Sequence, residues 1–200
     1  MSTSAQHLED VLREARACRH CAAKLAHPPR PVVRARVSAR ILVIGQAPGT
    51  RVHQSGLPFD DPSGDRLRSW LAVTRDEFYD ERVFAFLPMG LCYPGRATNG
   101  ADLPPRPECA PLWQLRVIEA LPNVQLTLLV GQYALRHHLG NAWPGSVRTA
   151  VAAWRSAPTN VWPLPHPSWR VNGWLKQNPW FEREVLPALR TRVREVVEKQ

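Results

Sequence analysis

The sequence predicts an α/β protein, a three-layer α/β/α sandwich around a central, mainly parallel four-stranded sheet. Two observations carry this reading. Short, continuously apolar runs at 41–45, 82–89 and 124–131, with a shorter one inside 160–168, suit strands covered on both faces. Helical patterns separate these runs, and such alternation favours parallel strands sandwiched between helices. The chain has 200 residues, 44% of them hydrophobic, enough for one domain (1–200) with a sizeable core.

Taken in order, "QHLEDVLREARA" (6–17) places Leu8, Val11, Leu12 and Ala15 on one helical face. It runs into "CRHC" and then the Pro- and Arg-rich "AHPPRPVVRARVSAR", which reads as a tether. "ILVIG" (41–45) is the first strand, and the polar, glycine-marked "GQAPGTRVHQSGLPF" after it reads as a loop. "GDRLRSWLAV" (64–73) is a helix and "RVFAFLPM" (82–89) a second strand. "PECAPLWQLRVIEAL" (107–121) is a helix with Pro107 near its first turn, where a missing N–H costs nothing. "VQLTLLVG" (124–131) is the third strand, followed by helices in "QYALRHHLG" and "SVRTAVAAW". The fourth strand lies in "NVWPLPHPS" (160–168). "NPWFEREVLPALRTRVREVVEK" closes the chain as a basic amphipathic helix interrupted or kinked at Pro187.

The formal charge is +9, with 26 Lys+Arg against 17 Asp+Glu, and arginine predominates. Forked guanidinium groups suit phosphate, so nucleic acid is a candidate partner, although solubility alone also accounts for the charge. No apolar run reaches membrane-span length, and "MSTSAQHLEDVLREA" lacks the apolar block of a signal peptide. The expected setting is cytoplasmic, without a membrane partner, and the expected state is a monomer. Seven of the eight tryptophans lie in the second half; most are expected in the core, with one or two available to stack on bases.

Ligands of parallel sheets bind at the carboxyl ends of strands. Two unusual loops lie there, "GQAPGTRVHQSGLPF" and "HPSWRVNGW", and they are expected to converge on one crevice. In the first, glycines allow close backbone approach, and Gln46 can hold a water or a carbonyl but cannot act as a base. Phe59 either offers a ring face to a flat substrate or anchors the loop on the core. In the second, His166 is held between prolines, where it can stabilise charge on a leaving group, and Ser168 can orient it or contact a phosphate. Asp60 or Asp61 can cap the helix that starts near Ser63, and Asp65 favours its N-terminus. His137 and His138 read as surface or packing residues.

Cys18 and Cys21 form a C-x-x-C pair, while Cys92 and Cys109 lie beside loops. Four cysteines in a cytosolic chain favour a metal centre, zinc or iron–sulfur, over disulfides; four unrelated buried thiols are the plain alternative. Such a centre would pin the N-terminal segment, 6–40, to the loop after the second strand.

In this order, the C-x-x-C pair, the strand with "GQAPG…GLPF", two further cysteines and the strand with "HPS" resemble the uracil-DNA glycosylase superfamily, nearest its iron–sulfur (family 4-like) bacterial and archaeal branch. The resemblance runs from Cys18 to about Leu175. It implies a 4Fe–4S cluster on Cys18, Cys21, Cys92 and Cys109. It also implies a base stacked on Phe59, a loop of Gly45, Gln46 and Ala47 holding the attacking water and contacting the base, and His166 stabilising the departing base anion. Arg170 or Trp169 would fill the gap left in the duplex. The implied activity is that of a DNA repair enzyme hydrolysing the N-glycosidic bond of uracil, and of other deaminated bases, to leave an abasic site.

This chain departs from the family pattern in three places. The branch usually has Glu where Gln46 stands, other branches have Asp where Ala47 stands, and Pro88 replaces the uracil-reading Asn. Water positioning then falls to His53 or Asp61, and base selection is expected to relax. A catalytically weak or inactive member that binds damaged DNA is the alternative. A zinc-stabilised nucleic-acid-binding protein of unrelated mechanism is a further one.

Overall fold

A computed structural model describes residues 3–98 and 100–198. Its four strands are β1 (Ile41–Ile44), β2 (Phe84–Phe86), β3 (Leu126–Val130) and β4 (Val161–Leu164), arranged β2-β1-β3-β4 with every neighbouring pair parallel. All four residues of β1 are buried, as a central strand covered on both faces requires. Pro163 is accommodated because β4 lies at the sheet edge, where a missing backbone donor is tolerated.

Alternate residues of the strands feed two cores. Leu42 and Ile44 face α1 (Thr3–Ala17), α5 (Cys109–Glu119) and α6 (Gln132–Leu139). Ile41 and Val43 face α3 (Pro62–Leu71) and α9 (Leu186–Glu198), which pack on each other. The three-layer sandwich expected from the alternation is therefore present. Leu8, Val11, Leu12 and Ala15 form the buried face of α1, which lies on α5.

Several local expectations change. The segment read as a tether is ordered, and Val32, Val33, Ala35 and Ala39 are buried. Arg34 exchanges backbone hydrogen bonds with Phe86 at 3.1 and 2.7 Å, sealing the outer edge of β2, whose donors and acceptors otherwise lack partners. The first loop contains a short helix, α2 (Thr50–Ser55), and further short helices form at α4 (Arg75–Tyr79) and α8 (Val171–Gln177), while α7 (Val147–Ala152) is the helix expected in "SVRTAVAAW". A capping box between Thr74 and Glu77 starts α4. At the C-terminus a single π-helical turn, Phe181–Val185, precedes α9. Pro187 follows that turn directly, so the interruption expected there takes the form of a π-helical turn running into α9. Lys199, included in that expected helix, lies outside the described residues. Among the described residues no helix is long and apolar enough to cross a membrane.

Candidate active site

The strand order reverses direction between β1 and β3, and the carboxyl ends at such a switch point leave a crevice. Here it measures about 420 Å³ and takes in Gly45, Gln46, Ala47, Phe59, Asp61, His166, Ser168 and Arg170. The two loops singled out in the sequence do converge.

The first loop leaves β1 still paired. Gly45 and Gln46 carbonyls accept bonds from the N–H groups of Met89 and Gly90, both 2.9 Å, so the loop is clamped to the chain after β2. Gln46 lines the crevice, and its side chain has no hydrogen-bond partner among the described residues.

Phe59 has φ +55°, a left-handed conformation that a bulky residue adopts only when its surroundings impose it. Three features hold it. Its ring lies against Gly45, where a Cβ would stand 3.0 Å from Cζ, and its backbone lies on Gly64, where a Cβ would overlap the Phe59 carbonyl oxygen. Tyr79 Oη donates to the Pro58 carbonyl at 2.8 Å. The ring also packs edge-on against Phe78 and tilted against Phe86. The two readings of Phe59 therefore coexist: it is anchored on the core, and it lines the crevice.

His166 follows β4 and rests against Gly131. The glycine has φ +88°, and a Cβ added to it would stand 3.2 Å from His166 Cβ, so both its backbone and its neighbour exclude a side chain there. Ser168 N–H donates to His166 Nδ1 at 3.3 Å. An Nδ1 that accepts leaves the neutral ring's proton on Nε2, which has no hydrogen-bond partner among the described residues. Burial pushes the His166 pKa down, which keeps the ring neutral, with the charges of Asp61 and Asp102 opposing that effect and Arg170 adding to it. Arg66 donates to the Ser168 carbonyl at 2.8 Å and ties this loop to α3.

Asp61 caps α3, its Oδ1 accepting from Ser63 N, Gly64 N and Ser63 Oγ, while the residue also lines the crevice. Asp60 instead pairs with Arg75 at 3.0 Å. His53 is placed elsewhere. It is absent from the crevice lining and packs with His27 and Tyr93, ring centroids 5.6 Å away in each case, because α2 turns it toward the N-terminal segment. Its expected role at the water does not match that position. His138 is a packing residue, as expected: its Nε2 lies 3.1 Å from Gln114 Oε1, and Gln114 in turn donates to the Pro88 carbonyl at 2.9 Å.

Other crevice residues had no signal in the sequence. Pro94, Asp102 and Leu103 reach it from the loop between Cys92 and Cys109, and Gln132 and Tyr133 from the start of α6. Trp169 projects beside it, 71% exposed, with the Arg170 guanidinium over its ring at 5.2 Å.

The four cysteines, from three chain segments, line a second, smaller cavity. Burial raises the thiol pKa of Cys92 to about 11 and of Cys109 to about 12, and raises that of Cys21. Among the described residues no three His, Cys, Asp or Glu side chains are grouped as ligands of one metal ion.

A family model described as the Uracil DNA glycosylase superfamily matches residues 33–190, which spans both crevice loops and all four strands. The chain belongs to the uracil-DNA glycosylase superfamily.

Proposed function

We propose that the protein is a monofunctional DNA glycosylase that hydrolyses the N-glycosidic bond of uracil in DNA, with a pocket open to other deaminated bases. Membership of the superfamily supports base excision repair, hydrolase chemistry and action on DNA. The observation that carries the finer reading is the pairing of a neutral His166, Nδ1 occupied and Nε2–H available, with the fixed ring of Phe59 in one crevice.

Breaking an N-glycosidic bond leaves an oxocarbenium-like sugar and an anionic base. Phe59 would stack on the extruded base, and backbone groups of Gly45 to Ala47 would contact its edge. His166 Nε2 would donate to the oxygen on which negative charge accumulates, a contact stronger in the transition state than in the substrate. Ser168 keeps the imidazole in the tautomer that can donate. Arg170 and the exposed Trp169 would occupy the space left in the duplex. Pro88 offers no amide to read uracil, and its carbonyl is already taken by Gln114, which supports relaxed base selection.

Cys18, Cys21, Cys92 and Cys109 would hold a 4Fe–4S cluster, with zinc as the alternative. Four thiols around one cavity fit such a group, since buried thiolates need a cation nearby. When bound, the group would act as a staple between the N-terminal segment and the loop before α5.

One observation favours a second reading, a damaged-DNA-binding protein without turnover: neither Gln46 nor Ala47 provides a base. Incubation with single-stranded and duplex oligonucleotides carrying uracil, hypoxanthine or xanthine, followed by alkali, separates the two. Strand breakage at the modified base supports the glycosylase. Intact strands for every substrate, with retention of an abasic duplex, select the binding protein.

A further inference from the structure

The side chains at 46 and 47 leave the attacking water without a proton acceptor, yet the crevice holds two carboxylates. Asp61 Oδ2 and Asp102 Oδ2 both face Gly49, at 3.9 and 3.7 Å from the position a Cβ would occupy there. The glycine therefore leaves a gap bordered by two carboxylate oxygens, beside the turn that carries Gln46. Both residues line the same crevice as His166, and both charges act on its ring.

The two carboxylates are not equivalent. Asp61 Oδ1 accepts three hydrogen bonds, from Ser63 N at 2.9 Å, Gly64 N at 3.0 Å and Ser63 Oγ at 2.5 Å, so this group is committed to starting α3. Asp102 has one long ion pair, Oδ1 to Arg96 Nε at 3.6 Å, and its Oδ2 has no hydrogen-bond partner among the described residues. Its backbone is nonetheless held. Arg96 and Asp102 form an antiparallel bridge, Leu103 N–H donates to the Gly95 carbonyl at 2.9 Å, and Pro105 packs so closely on Gly90 that a Cβ there would stand 2.9 Å from it.

We propose that Asp102 is a catalytic residue that accepts the proton of the attacking water, with Asp61 Oδ2 and the Gln46 amide helping to orient that water. This rests on the glycosylase reading. The water oxygen bonds to C1′ of the sugar as the bond from C1′ to the base nitrogen breaks. The electron pair of that bond leaves with the base, whose anion is held by His166 Nε2–H. The water proton passes to the Asp102 carboxylate and from there to solvent. The same negative charge stabilises the cationic sugar as it forms.

The test compares wild type, Asp102→Asn and His166→Ala in single-turnover base release from the oligonucleotide that wild type cleaves best. Affinity for a duplex carrying 2′-fluoro-deoxyuridine, which resists cleavage, and the melting temperature are measured in parallel. Asp102→Asn should release base about 100-fold more slowly or worse, the span expected for a lost general base. Its affinity should stay within about threefold and its melting temperature unchanged, the signature of an interaction made only in the transition state. An Asp102→Asn rate within about threefold of wild type overturns the proposal. So does a variant that loses binding or fold together with rate, which would assign Asp102 to structure. A wild type that releases no base from any substrate overturns the glycosylase reading itself, and that outcome is read in the wild-type arm alone.

Discussion

Gly64 lies directly beneath Phe59: a methyl group at Gly64 would overlap the Phe59 carbonyl oxygen and stand 2.7 Å from its carbonyl carbon. The first turn of α3 and the left-handed backbone of Phe59 are thus one packed unit, and the orientation of the crevice ring depends on a missing side chain in the next element. Gly64→Ala must either push Phe59 out of place or strain α3. The expected loss is about 1–3 kcal/mol of stability, read by chemical denaturation, together with weaker binding of a base in the crevice.

Trp169 gives a prediction specific to duplex DNA. A ring 71% exposed beside the crevice gains nothing from the folded core and is free to stack in the gap left by an extruded base. Trp169→Ala should lower base release from duplex about 10- to 100-fold, in keeping with the loss of one stacking contact. Release from single strands should change much less, because no partner strand or gap is present. Equal losses on both substrates would remove Trp169 from that role.

Acid stability reports on His138. Burial beside Gln114 lowers its pKa to about 4, whereas the unfolded side chain titrates near its ordinary value of 6.5. Between these two values the unfolded chain binds a proton that the folded one does not. Stability is therefore intact above pH ~6.5 and falls as the pH drops toward ~4, by at most about 3 kcal/mol from this group. His138→Gln, followed by denaturant unfolding from pH 4 to 8, should flatten part of that slope. An unchanged slope would contradict the assignment.

The cysteines predict a colour. If the four thiols hold iron and sulfide, the purified protein is brown, with broad visible absorbance and about four irons per chain. Cys109→Ser should then lose both colour and stability. A colourless protein with one bound zinc would replace the cluster with the alternative, and a protein with neither would leave four free thiols.

Much of this was legible in the sequence because it is local. The apolar runs at 41–45 and 124–131 announce buried parallel strands, and loops at their carboxyl ends face a crevice by topology alone. What was not legible depends on distant contacts. "PRPVVRARV" has the composition of a linker, yet it is ordered because the β2 edge needs a covering strand. "TRVHQS" is too short for helical periodicity to show, and its short helix carries His53 away from the crevice toward Tyr93. Asp102 sits in a Gly- and Pro-rich stretch without pattern. Only the closing of that loop between Cys92 and Cys109 brings it to Gly49.

The central claim is that a neutral His166 donates to the base as it leaves. Single-turnover base release by wild type and His166→Ala on a uracil-containing oligonucleotide tests it most directly, with affinity for the uncleavable 2′-fluoro analogue measured alongside. The account predicts a loss of about 10²–10³-fold in rate, the scale of one lost transition-state donor, with binding preserved. A variant that cleaves as fast as wild type would contradict it.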